Sequence, residues 1–392
     1  MSHTADFTLP ETEDFDCPHA LFAELRGRCP VGWSDDLGGF WAVTRHEEAR
    51  AVLTDWELFT TRIQNVVPPV ATTQRRPPLH LDPPENIPYR NAILRFLSPD
   101  RMKAWEPRVE AMVARFLDPW IAKGGGDICE EFSFLLPIAL LAEFFNLPPK
   151  EAEHIRLVGA EFNMALQRQD FETLRIKSDA LYGIAQGLIE DRIKHPRDPD
   201  TDPTASLLAV RIDGEPLAQE LVLGALRQFL LVGIIAPTTF IGSMAVHLAR
   251  HPEHHAELRE NPDLILEATE ELLRLYTPYR GFARTATRDT ELGGRQIKEG
   301  DVLAVVFTSA NRDEAVFEAP DTYRLDRENR DLLTFGRGPH MCPGAPLARL
   351  LLQTVLRQLS AKTETLELLS PIEMTRWPEY GPLKAEFRAT SA

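Results

Sequence analysis

Apolar positions along the chain recur mostly every three to four residues, the mark of amphipathic helices, with short alternating stretches near the N-terminus and after residue 281. Residues 18–28 and 46–54 predict helices, and residues 31–43, broken by Asp35-Asp36-Leu37-Gly38-Gly39, predict a β-hairpin between them. Residues 61–80 hold Pro68, Pro69, Pro77 and Pro78 without any period, so they predict a long loop of the kind that lids and binding loops use. A helix opens after Asp82-Pro83-Pro84, its prolines in or before the first turn. Helical periodicity then runs over residues 99–195, interrupted at 123–127 and 147–149, and ends in the polar loop 195–203. Residues 217–250 are hydrophobic nearly all round, which predicts a buried helix. Residues 282–287 alternate as a strand, 291–306 read as hairpins, and Leu347, Leu351, Leu352, Val355, Leu356 and Leu359 mark a last long helix. The pattern is mainly α with a small β-rich lobe (α+β), read as one domain over residues 1–392.

Composition narrows the function. The chain has 392 residues, 43% of them apolar, and a formal charge of −16, which argues against a nucleic-acid partner. Cys17, Cys29, Cys129 and Cys342 show no paired spacing, so no disulfide framework is indicated and a reducing cytoplasm fits. The N-terminus is acidic and lacks a basic-then-apolar signal, and the longest apolar run, residues 229–237, is too short for a bilayer. The expectation is a cytoplasmic protein with no membrane partner.

The chemistry concentrates at Leu333-Thr334-Phe335-Gly336-Arg337-Gly338-Pro339-His340-Met341-Cys342-Pro343-Gly344-Ala345-Pro346-Leu347-Ala348-Arg349. Gly336 and Gly338 permit sharp turning and close approach to a flat ligand. Cys342 falls at the mouth of the last helix, where free N–H groups, including that of Gly344, and the dipole favour a thiolate. Such a sulfur serves as nucleophile, redox group or metal ligand, and a lone Cys also packs as a small hydrophobe. The spacing Phe-Gly-x-Gly-x-His-x-Cys-x-Gly-x-x-Leu-Ala-Arg resembles the haem-thiolate loop of cytochromes P450. That resemblance implies a P450 fold and haem b held by Cys342 as axial thiolate, with Phe335 shielding the sulfur and His340 reaching a propionate.

The resemblance extends along most of the chain. Family members carry Asp-Pro-Pro-x-His-x-x-x-Arg where this chain has Asp82 to Arg90; Arg90 matches as a propionate ligand, and Asn86 replaces the His, exchanging a cation for a neutral hydrogen bond. Arg284 matches the second propionate arginine. Glu271 and Arg274, with Arg327 downstream, match a buried structural network. Residues 162–188 match mobile lid helices, where Asn163, Gln167 and Arg168 are candidates to meet a polar substrate group, and the turn at 376–383 is expected to dip into the active site.

Over the haem, P450s place a helix with an acid–alcohol pair that relays protons. Matching on the threonines puts Pro237 at the acid and Thr238 at the alcohol position; counting back from His251-Pro252-Glu253 gives Ile235 and Ala236. In either register no Asp or Glu occurs from 221 to 252, and Pro237 is expected to kink the helix. Thr238 and Pro237 are the catalytic candidates; Gly233, Ala236, Phe282 and Thr285 are the substrate-pocket candidates. The function implied is monooxygenation of a small organic substrate with dioxygen and electrons from NAD(P)H through a ferredoxin-type donor, which would dock near Arg337, Arg349 and Arg357. The missing acid keeps a peroxide-driven or nitrating enzyme as an alternative, and a non-enzymatic haem sensor is a further one.

Overall fold

The computed structural model describes residues 4–10, 14–69 and 74–392; the side chains of Pro149, Asn163, Gln167 and Asn329 are outside the described set, so Asn163 and Gln167 receive no structural account. Helices dominate, as the periodicity predicts. The all-round apolar segment forms a single helix, Gln219–Arg250. It is long and apolar enough to cross a membrane by composition alone, but 78% of its most apolar window is buried inside the protein. Around it pack Phe171–Lys194, Leu135–Phe144 and the helix led by the cysteine loop, Ala345–Lys362. Ala345–Lys362 in turn packs on Pro99–Ala122 and Ile265–Leu275, so one continuous core joins the two long helices whose facing sides frame the site.

The β-rich lobe is a five-stranded sheet in the order Val31–Ser34, Phe40–Val43, Val302–Val305, Phe282–Ala286, Phe59–Thr60. The expected hairpin is present, with Val31 opposite Val43, and Phe40–Val43 runs parallel to Val302–Val305. Because side chains alternate along a strand, Phe282 and Arg284 share one face while Ala283 and Thr285 share the other.

Two breaks in the helical pattern carry more structure than the sequence shows. Residues 123–127, read as an interruption, contain a strand, Gly125–Asp127, paired with Glu386–Ser391. A Cβ at Gly125 would collide with the Phe387 carbonyl oxygen, so the glycines there let two backbones meet. A π-helical turn, Cys129–Ser133, follows it against the central helix.

Buried histidines make this fold acid-sensitive. His247, on the central helix, has Nδ1 at 2.8 Å from the Tyr276 hydroxyl and Nε2 at 3.1 Å from His254 Nδ1. Burial, reinforced by His251 and His254, pushes its pKa down to about 2. Burial, with Arg76, Arg227 and Arg75, pushes His80 down to about 3. Both fold neutral, whereas the unfolded chain takes up their protons near pH 6.5. The unfolded state therefore binds more protons below that point, and stability falls as the pH drops from 6.5 towards 3, by about 2–3 kcal/mol per histidine at pH 4.5. Urea midpoints measured between pH 7 and 4.5 are expected to fall, with a shallower slope in His247→Gln; an unchanged slope in that variant would contradict the assignment.

Candidate active site

The loop before the last helix turns as its glycines predict, with φ of +72° at Gly336 and +71° at Gly338. A Cβ at Gly338 would sit 2.8 Å from the Leu53 carbonyl oxygen, so the loop lies directly on the helix His46–Thr54. The Cys342 N–H donates to the Phe335 carbonyl at 2.7 Å and closes the loop. Gly344 caps Ala345–Lys362, and the N–H groups of Gly344 and Ala345 favour the thiolate, as do Arg90 and Arg349. Burial outweighs them and pushes the Cys342 thiol above its usual value.

Cys342, Phe335 and Gly344 line an apolar cavity between the two long helices. From the central helix, Gly233, Ala236, Pro237 and Phe240 line it, a single face at i, i+3, i+4 and i+7. Thr238 is not on that face. Its hydroxyl donates to the Ile234 carbonyl at 2.8 Å and lies 3.2 Å from the Ser133 carbonyl, so its assignment as the oxygen-side hydroxyl is corrected. Thr239 likewise turns back on Ile235 and Ala236, and the cavity-facing register is Ala236–Pro237, between the two that the sequence offered. The helix runs through Pro237 as one segment, so the expected kink does not interrupt it; Pro237 still deprives the Gly233 carbonyl of its i+4 donor. Thr238→Ala is expected to cost about 1–2 kcal/mol through the stranded Ser133 carbonyl. Turnover should stay within about twofold, since the lost hydroxyl is worth little beyond that carbonyl; a tenfold loss with stability intact would return the hydroxyl to catalysis.

Of the strand candidates, Phe282 and Arg284 line the cavity, whereas Thr285 is buried on the opposite face and is corrected by strand alternation. The turn at 376–383 does not dip inward either: Gly381 packs on Thr239 and Ser243, behind the central helix. Arg168 is exposed.

Three basic groups stand on the cavity wall. Arg90 Nη2 donates to the Met341 carbonyl at 2.9 Å, and burial lowers its pKa. Arg284 donates to its own neighbour's carbonyl, Ala283, at 2.8 Å, and burial pushes its pKa down to about 10 against the pull of Asp82. His340 is held through Nε2 by the Asp82 carboxylate at 2.9 Å; burial lowers its pKa, with Asp82 opposing. Asp82 also accepts from the hydroxyls of Thr60 and Thr61. Asp82 belongs to the Asp-Pro-Pro motif, and no local signal links it to a histidine 258 positions away. Asn86 is fully buried with both amide atoms unpartnered, yet it stands off the cavity wall.

Glu271, Arg274 and Arg327 meet as the motif implies. Arg274 grips Glu271 with two bonds of 2.8 Å, Arg327 Nε donates to Glu271 at 3.1 Å, and Arg274 also reaches the carbonyls of Asn311 and Pro320. The three surface arginines proposed for partner docking are each compensated: Arg337 by Asp331 at 3.5 Å, Arg349 by Glu270 at 2.6 Å, Arg357 by Glu110 at 3.9 Å. Arg349 also lies 4.5 Å over the Phe335 ring, bracing the loop from outside.

The family model for cytochrome P450 matches residues 183–365. The chain is 30% identical to linalool 8-monooxygenase of Pseudomonas putida over 93% of both proteins, and 32% identical to nocardicin C N-oxygenase of Nocardia uniformis over 92% of this chain and 90% of that one. The solved structure of cytochrome P450 CYP109Q5 from Chondromyces apiculatus superposes with a TM-score of 0.85 at 28% identity, covering 96% of each chain. This chain belongs to the cytochrome P450 family, and it is an oxidoreductase of that family with the P450 fold.

The residues present fit the family's haem. The slot between the helices is apolar on its flanks, it carries one sulfur, and its rim holds Arg90 and a buried Arg284 with no carboxylate bonded to it among the described residues, the partners that an acidic edge needs.

Proposed function

We propose that this protein is a haem-thiolate monooxygenase that oxidises a small organic substrate with dioxygen, using electrons from NAD(P)H delivered by a ferredoxin-type donor. The observation that carries this is the placement of Cys342 at the mouth of Ala345–Lys362, across an apolar slot from the Gly233–Phe240 face of the central helix. Cys342 would hold the iron of haem b through its sulfur. Arg90, Arg284 and His340 would hold the propionates, with Asp82 orienting the imidazole. Phe335 covers the sulfur, Gly344 leaves room beside it, and Glu271–Arg274–Arg327 fixes the segment that leads into the loop. The chemistry supplied by haem held in this way is dioxygen activation, which the thiolate's electron density favours.

Gly233, Ala236, Pro237 and Phe282 shape the substrate space. Relatives are named for linalool, nocardicin C and vitamin D3, so the family alone does not choose a substrate. No acid or hydroxyl from the central helix lines the cavity, so proton delivery runs through water held at backbone acceptors such as the Gly233 carbonyl, or through the substrate's own groups. That same absence favours a second reading, a peroxide-driven oxygenase. The two separate in one experiment: product formation with NADPH, ferredoxin reductase and ferredoxin, against hydrogen peroxide alone. The monooxygenase reading expects turnover mainly with the electron-transfer chain; turnover with peroxide only would establish the alternative.

A further inference from the structure

The central helix carries a charge that the haem site does not use. Arg227, the residue before cavity-lining Gln228, is fully buried, and its Nε and Nη1 have no hydrogen-bond partner. Its Nη2 donates to Ser178 Oγ at 3.0 Å, and its guanidinium lies 5.4 Å and 5.6 Å over the rings of Phe162 and Tyr182. Arg76, two residues before cavity-lining Pro78, is more than nine-tenths buried with Nε unpartnered; its Nη2 meets His80 Nε2 at 3.1 Å. The buried Tyr182 hydroxyl and Gln228 Oε1 also lack partners. Among the described residues no salt bridge reaches either arginine.

A buried guanidinium without a counter-charge is strongly unfavourable, and two neighbouring ones repel each other as well. The close approach is built in: a Cβ at Gly224 would collide with the Arg75 carbonyl, so a glycine lets the 75–76 segment lie against the helix one turn before Arg227. What this place lacks is an anion. Both arginines adjoin segments that line the cavity, and Arg227 precedes Pro237 by ten residues, about 15 Å along a helix.

We propose that Arg227 and Arg76, with the Tyr182 hydroxyl, form an anchoring subsite for the carboxylate of an elongated organic-acid substrate whose far end reaches the Cys342 side of the cavity. This rests on the haem-site reading for where oxidation falls, but not for the binding of the anion. The planar guanidinium fork pairs two-pronged with a carboxylate, and the flanking rings of Phe162 and Tyr182 exclude water from the pair.

The test titrates the holoenzyme with sodium dodecanoate, dodecan-1-ol and sodium phosphate, reading both the Soret shift and the thermal midpoint. Dodecanoate is expected to shift the Soret band, raise the midpoint and bind at least about tenfold tighter than dodecan-1-ol. Arg227→Met and Arg76→Gln should each weaken dodecanoate roughly tenfold while leaving dodecan-1-ol within about twofold. Ligand-free Arg227→Met should melt no lower than the wild type, because an uncompensated cation has gone; a purely structural arginine would lower it. Equal affinity for acid and alcohol would overturn the subsite, as would wild-type dodecanoate binding in both variants. Phosphate that raises the midpoint without competing with dodecanoate would overturn it too, leaving an adventitious ion only. A midpoint rise without any Soret shift keeps the anion subsite and counts against the haem-site reading instead.

Discussion

Glu271→Ala is expected to destabilise the protein by about 3–5 kcal/mol and to lower its haem content in proportion. Glu271 lies between two guanidiniums, those of Arg274 and Arg327, and both side chains of the first pair are fully enclosed. Removing it strands two buried cations, and the cost is a large fraction of the 5–15 kcal/mol that holds an ordinary domain together. The damage should spread towards the sulfur, because Arg274 also ties down the carbonyls of Asn311, Pro320 and Thr322 in the segment that leads into the Cys342 loop. Urea unfolding and haem-to-protein ratio are the measurements. A loss below about 1 kcal/mol, the size of an exposed ion pair, would mean the trio does not clamp the loop.

Cys342→Ser should have the opposite profile. The fold is expected to survive with a cost of only about 1–3 kcal/mol for placing a hydroxyl in an apolar slot. Monooxygenase turnover should fall to the background of free haem, because the soft, electron-rich axial ligand has gone. Substrate turnover in the purified variant, against its circular dichroism, separates the two effects. Retained turnover would remove Cys342 from the chemistry.

Much of this was legible in the sequence because it depends on local pattern. The helix at residues 46–54 and the first hairpin follow from period and turn chemistry. The glycine angles of the cysteine loop and the Glu271–Arg274 pair follow from residue type and spacing. What failed depends on direction. A helix turns 100° per residue, so placing the motif one residue out carried Thr238 off the cavity face and onto Ser133. A strand reverses at every residue, which sent Thr285 to the far side of the sheet from Arg284. Long-range partners were equally invisible: nothing near Asp82 announces His340, and nothing near Arg227 announces Arg76. The burial of Cys342 is likewise a property of the packed loop and not of the helix end that the sequence reveals.

Pro237 on the cavity face, where relatives of the same fold are expected to offer a proton-relay pair, gives this enzyme its main chemical peculiarity. The helix supplies shape and one under-bonded carbonyl there, and under the proposed function proton traffic would fall to water and substrate. The face proposed for donor docking carries little free charge, because Arg337, Arg349 and Arg357 each lie near a carboxylate.

The most direct measurement is the carbon monoxide difference spectrum of the reduced wild-type holoprotein. Iron bonded to the Cys342 thiolate puts the Soret band near the wavelength from which the family takes its name, and Cys342→Ser abolishes it. A band at the position typical of histidine-ligated haem, unchanged in that variant, would contradict the account at its centre.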